Sequence, residues 1–116
     1  MRRFLKSFVY AFQGITTAIA DQRNLRVLIC IAAAVIAAGF YYDITQVEWC
    51  IILLCIGLVV GLELINSSIE SLVDLVTMEK KPLAGKIKDM AAGAVLFASV
   101  MSSIIGLIIF TKYLTV

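Results

Sequence analysis

The chain contains no histidine, a single proline, a single tryptophan and few charges: 16% of its 116 residues are Asp, Glu, Lys or Arg. Each scarcity excludes something. Without histidine there is no Ser-His-Asp triad and no His-containing zinc site. The three cysteines, Cys30, Cys50 and Cys55, lie inside apolar runs with no CxxC among them, so they read as packing residues. No GxxxxGK[ST], GxGxxG or GxSxG is present, which leaves a P-loop kinase, a Rossmann dehydrogenase and an α/β-hydrolase without support. The net charge of +2 does not point to nucleic acid.

What is present in excess is apolar surface. Hydrophobic residues make up 62% of the chain and the mean hydropathy is +1.03. A water-soluble domain of this size has too little interior to hide that much. The apolar runs lie in the middle and at the end of the chain, and no small-residue cleavage site follows the N-terminal run, so a secretory signal peptide does not explain them. The sequence therefore predicts one all-α integral membrane domain spanning 1–116.

Residues 1–20 place Phe4, Phe8, Phe12, Ile15 and Ile19 at helical spacing, with Arg2, Arg3, Lys6 and Gln13 between them. This is the pattern of an amphipathic helix lying in the membrane interface, and packing against the protein's own helices is compatible with it. The polar stretch DQRNLR (21–26) is expected to separate it from a first membrane span at 26–42, closed by the interfacial Tyr41 and Tyr42. After a short polar turn, a second helix is expected over 47–76. At about 45 Å it is longer than the hydrocarbon core, so part of it must leave the core. Pro82 suits the first turn of a third helix over 83–113. Nine of the ten Lys and Arg residues fall in 1–26 or 78–88. By the positive-inside rule that side, with the N-terminus, faces the cytoplasm.

The second helix carries the chemistry. Glu63, Asn66, Glu70 and Asp74 are spaced 3, 4 and 4 apart and share one stripe of a helix. A carboxylate at membrane depth costs about 2.5 kcal/mol or more, so such residues normally face a partner or a wet cavity. Asp74 and Glu70 could simply be interfacial; Glu63, preceded by fourteen uncharged residues, is harder to dismiss. Lys86, Lys88 and Asp89 open the next, antiparallel helix at the same end. Opposed lysines and carboxylates can form a structural ion pair. The same residue types also suit a magnesium-nucleotide site, with hard oxygens for Mg²⁺ and lysines for phosphate. Gly57 and Gly61 form a GxxxG, and the small residues of the third helix invite close helix contacts within the chain or between copies.

The segment ELINSSIESLVD from Glu63 to Asp74, followed by KPLAGKIKDMAAGAV from Lys81 to Val95, closely resembles the signature of the prokaryotic diacylglycerol kinase family, which includes undecaprenol kinases. The N-terminal helix, the RNLR element at 23–26 and the three-span layout also fit, so the resemblance covers nearly the whole chain. It implies a homotrimer in the bacterial inner membrane, active on its cytoplasmic side, that transfers the ATP γ-phosphate to a lipid primary hydroxyl with Mg²⁺. By the resemblance Glu63 is the general base, and Asn66 orients the substrate or that base. Glu70 is a metal ligand, and Lys88 and Asp89 contact nucleotide. Arg3, Tyr10, Glu79, Lys80 and Lys81 match positions near ATP.

Two positions depart from the family pattern. Gln22, with Asp21 beside it, stands where relatives carry a second metal-binding glutamate, and a neutral amide is the weaker ligand. Lys81 stands where many relatives have His. The resemblance leaves two acceptors: diacylglycerol, expected by default, and undecaprenol, which the KPLAGKIKDMAAGAV segment favours. An inactive membrane scaffold, suggested by Gln22, and a transporter subunit with Glu63 as proton relay are the readings from other classes.

Overall fold

In the computed structural model, which describes residues 1–114, the chain forms four helices: α1 (Arg2–Asp21), α2 (Arg23–Tyr41), α3 (Gln46–Val76) and α4 (Pro82–Leu114). Three of them, α2, α3 and α4, are long and apolar enough to cross a membrane. The antiparallel pair α3–α4 is the most extensively packed, α2 lies against α3, and α1 touches α2 and α3 only lightly. None of the α1 residues is buried. Large apolar side chains on the other helices also point outward, Leu54 at 74% exposure and Leu107 at 65% among them. That is what a bundle solvated by lipid or by further helices requires.

The polar stretch 21–26 is not a linker. It is helical except at Gln22, whose extended backbone (φ −111°, ψ 111°) makes a corner between α1 and α2. One residue suffices because the corner satisfies its own backbone. The Arg26 guanidinium donates to the carbonyls of Ile19 and Ala20, both at 2.8 Å, and so caps the end of α1 with a cation where the helix dipole favours one. Leu25, at 1% exposure, anchors the corner in the bundle.

The α2–α3 connection is tightly specified. Asp43 has φ 51°, and the Ile44 N–H donates to Gly39 O (3.2 Å) while the Asp43 N–H donates to Phe40 O (3.3 Å). That pair of bonds is a Schellman ending with a left-handed residue after the cap. Thr45 and Glu48 then form a capping box at the start of α3 (Glu48 N–H to Thr45 Oγ1, 3.2 Å; Thr45 N–H to Glu48 Oε1, 3.0 Å). This end of the bundle holds the core: Ile44, Ile52 and Ile109, with Tyr42, Trp49, Phe110 and Tyr113 packed around them.

Glu48 also ties α3 to α4. Its buried carboxylate accepts from Lys112 Nζ at 2.6 Å and from the Tyr113 hydroxyl. Glu48→Ala removes the side-chain half of the capping box, the bond from Thr45 N–H to Oε1, and both cross-helix bonds in one change. We expect it to lower the thermal unfolding midpoint of the detergent-solubilised protein by more than Thr45→Ala, which removes the cap alone. Equal shifts would mean that the link to α4 contributes nothing.

Candidate active site

The carboxylate stripe lies in the half of α3 away from the aromatic core. Its residues differ sharply in environment. Glu63 and Asn66 are buried, at 4% and 6% exposure, Glu70 is half-buried and Asp74 is exposed. Ser67, at 8%, completes the buried set. It lies about 40° from Glu63 around the helix axis. Asn66 and Ser67 follow Glu63 by three and four residues, which puts them beside it on one face of α3. Yet Asn66 Oδ1 and Ser67 Oγ are both buried without a hydrogen-bond partner. Neither Glu63 nor Glu70 has a cation partner among the described residues. A buried carboxylate beside two unpaired polar atoms is an arrangement that a purely structural role does not maintain, because each unsatisfied group is costly.

The lysines divide between the two roles open to them. Lys88 pairs with Asp74 at 2.6 Å, with both side chains partly exposed, so the lower end of the stripe is an ion pair joining α3 to α4. Exposure leaves that pair a small stabilising contribution, on the order of 0–1 kcal/mol. Asp89 is exposed on α4, and Glu79, Lys80 and Lys81 are exposed in the short α3–α4 loop. Arg3 and Tyr10 are exposed on α1. No hydrogen bond or ion pair joins the side chains of these six to the stripe among the described residues.

Beside the stripe runs a groove of about 840 Å³ between α1 and α3. Tyr10, Gln13, Thr17, Asp21 and Gln22 line it from the α1 side, and Leu64, Ser67, Ser68, Ser71, Leu72 and Leu75 from α3. The main α3 positions of this wall, Leu64, Ser68, Ser71 and Leu75, centre about 110° around the helix from Glu63. The groove thus flanks the carboxylates rather than sitting on them. Its mixture of hydroxyl, amide and aliphatic groups suits an amphiphile. Asp21 and Gln22 reach this groove, whereas Glu70 faces the neighbouring side of α3. Among the described residues no three His, Cys, Asp or Glu side chains converge on one point as a metal site. The donors nevertheless fit magnesium chemically. They are all oxygens, no cation among the described residues pairs with Glu70, and Mg²⁺ needs only one or two carboxylates when substrate phosphates and water complete its shell.

A family model described as "Prokaryotic diacylglycerol kinase" matches residues 9–110. The chain belongs to the prokaryotic diacylglycerol kinase family. It is therefore an enzyme of the lipid phosphotransferase class, with the apolar helices of a multi-pass membrane protein. Among relatives, the undecaprenol kinase of Bacillus subtilis is 46% identical over 95% of this chain and 89% of its own length. A diacylglycerol kinase of Synechocystis is 40% identical over 88% of this chain, which spans 59% of that longer protein. The diacylglycerol kinase of Escherichia coli K12 is 30% identical over 88% of this chain and 84% of its own length.

Two residues of consequence carry no role in the sequence reading. Glu48 was detectable from the T-x-x-E pattern at 45–48, a capping-box signature. Ser67 sits four residues after Glu63, one helical turn on, and that spacing alone marks it as a neighbour.

Proposed function

We propose that the protein is an ATP- and Mg²⁺-dependent kinase that phosphorylates the primary hydroxyl of a membrane lipid, with undecaprenol the preferred acceptor and diacylglycerol the second reading. The observation that carries the kinase chemistry is Glu63: a buried carboxylate without a cation partner among the described residues, one turn from the edge of an amphiphilic groove. The 46% identity to an undecaprenol kinase, against 40% and 30% to diacylglycerol kinases, moves the preferred acceptor away from the family default. In this reading the basic end of the bundle faces the cytoplasm, α1 lies along the inner-membrane interface, α2, α3 and α4 span the bilayer, and three copies associate.

The lipid hydroxyl donates to Glu63, which takes its proton as the oxygen bonds to the terminal phosphorus of ATP and the bond from that phosphorus to the bridging oxygen breaks, releasing ADP. Asn66 holds the hydroxyl or the base in line. Lys88, Asp89, Arg3, Tyr10 and the Glu79–Lys81 loop contact the nucleotide, with lysine and arginine offsetting its charge. Glu70, with Gln22 or Asp21, would hold Mg²⁺, which when bound neutralises phosphate charge. Most of the rate enhancement then comes from positioning and electrostatics.

The test is a radiolabelled-ATP assay in mixed micelles with the two lipids side by side. Label entering undecaprenol faster supports the preferred reading, and faster label in diacylglycerol reverses the order. Label in neither lipid, with the protein folded, leaves an inactive scaffold. Gln22 allows a finer test. Gln22→Glu supplies a carboxylate for a neutral amide, so we expect half-maximal activity at a several-fold lower Mg²⁺ concentration. An unchanged magnesium titration would place Gln22 away from the metal.

A further inference from the structure

Hydroxyl side chains on these helices have a default partner, the backbone carbonyl one turn earlier. Ser7 donates to Arg3 O, Ser68 to Leu64 O, Ser103 to Ser99 O and Thr111 to Leu107 O, at 2.6–3.0 Å. Ser67 has the same option at the Glu63 carbonyl and does not take it. Its Oγ is buried, lies on a residue one helical turn from Glu63, and has no hydrogen-bond partner among the described residues. Burying an unpaired hydroxyl is unfavourable, so a structural serine here would be expected to bond its own helix or to be alanine. Ser67 is also the one residue shared by the buried polar set and the groove lining among the described residues.

From this geometry we infer that Ser67 is a positioning residue for Glu63: its hydroxyl donates to one oxygen of the Glu63 carboxylate and leaves the other free to take the acceptor's proton. The inference rests on Glu63 being the base. A carboxylate on three rotatable bonds points in many directions. One donor held a helical turn away selects the orientation aimed at the incoming hydroxyl. The bond tightens when an alcohol entering from the groove engages the opposite oxygen. Catalytic hydrogen bonds are often long before substrate arrives.

Kinetics, stability and infrared spectroscopy of Ser67→Ala and Ser67→Thr in the full-length protein test this. Ser67→Ala is expected to lower kcat about 10–100-fold, the worth of a hydrogen bond to a charged group, with a smaller change in the KM for lipid. Its unfolding midpoint stays level or rises, because an unsatisfied hydroxyl has been removed. Ser67→Thr, which keeps the hydroxyl, restores most of kcat. The carboxylate stretching band assigned to Glu63 by its loss in Glu63→Gln shifts in Ser67→Ala. Wild-type kcat in Ser67→Ala overturns the inference, and so does an unshifted Glu63 band, whatever the turnover. An inactive Glu63→Gln beside a fully active Ser67→Ala removes Ser67 alone, whereas a fully active Glu63→Gln removes the base itself.

Discussion

Glu63→Gln is expected to lower lipid phosphorylation by about 10²–10⁴-fold, the range over which a positioned general base acts. The substitution keeps the size and planarity of the side chain and removes only its capacity to accept a proton. Glu63 is 4% exposed and has no cation partner among the described residues, so the change breaks no ion pair. A neutral amide is no harder to bury than a carboxylate, so the variant should fold and unfold as the wild type does. The amide can still hydrogen-bond a lipid hydroxyl, so the loss should appear in kcat more than in the KM for lipid. Steady-state kinetics in mixed micelles, with the unfolding midpoint as a control, give the answer. Near-normal turnover would take Glu63 out of the mechanism as the general base.

The carboxylate stripe was legible in the sequence because helical spacing is a strong local signal and charge within an apolar run stands out against it. The long helices were legible for the same reason. What escaped was set by contacts that no short window contains. DQRNLR reads equally well as a loop or as two helix ends. The difference lies in Arg26 folding back onto Ile19 and Ala20, a bond that exists only once the corner has formed. Glu48 and Lys112 are 64 positions apart, and nothing local ties them together. For Lys88 the sequence left an ion pair and a nucleotide contact open, and the bond to Asp74 shows the ion pair formed in this structure. The expected metal ligands, Glu70 with Gln22 or Asp21, lie far apart in the sequence, and whether such residues meet is set by how α1 packs on α3, which residue spacing does not encode.

Gly39→Leu is expected to produce the largest loss of stability of any single change at the α2–α3 end. Gly39 is buried, and a Cβ built there would lie 2.7 and 2.9 Å from ring atoms of Trp49 and 3.2 Å from Ile44 Cδ1. Real Cβ atoms do not approach so closely, so the indole must move. It has little room. It lies tilted against Phe40, ring centroids 4.9 Å apart, and packs against the core cluster of Ile44, Ile52 and Ile109. Even Gly39→Ala sets two effects against each other. Alanine gains about 1 kcal/mol of helix propensity, and overpacking costs typically about 1–3 kcal/mol; the rigidity of the ring makes the second the larger. Leucine adds the clash of a whole side chain and should exceed that range or prevent folding. Both variants unfold earlier than wild type in a detergent-solubilised thermal melt, in the order leucine, then alanine. Trp49→Leu, which vacates the space, should recover much of the loss in the Gly39→Ala background, because two residues in contact do not contribute independently. Trp49 lies in the first turn of α3, about 21 Å along the helix from Glu63. Protein that still folds should therefore keep its kcat. A loss of kcat per folded molecule would show instead that the α2–α3 corner and the carboxylate stripe are mechanically coupled.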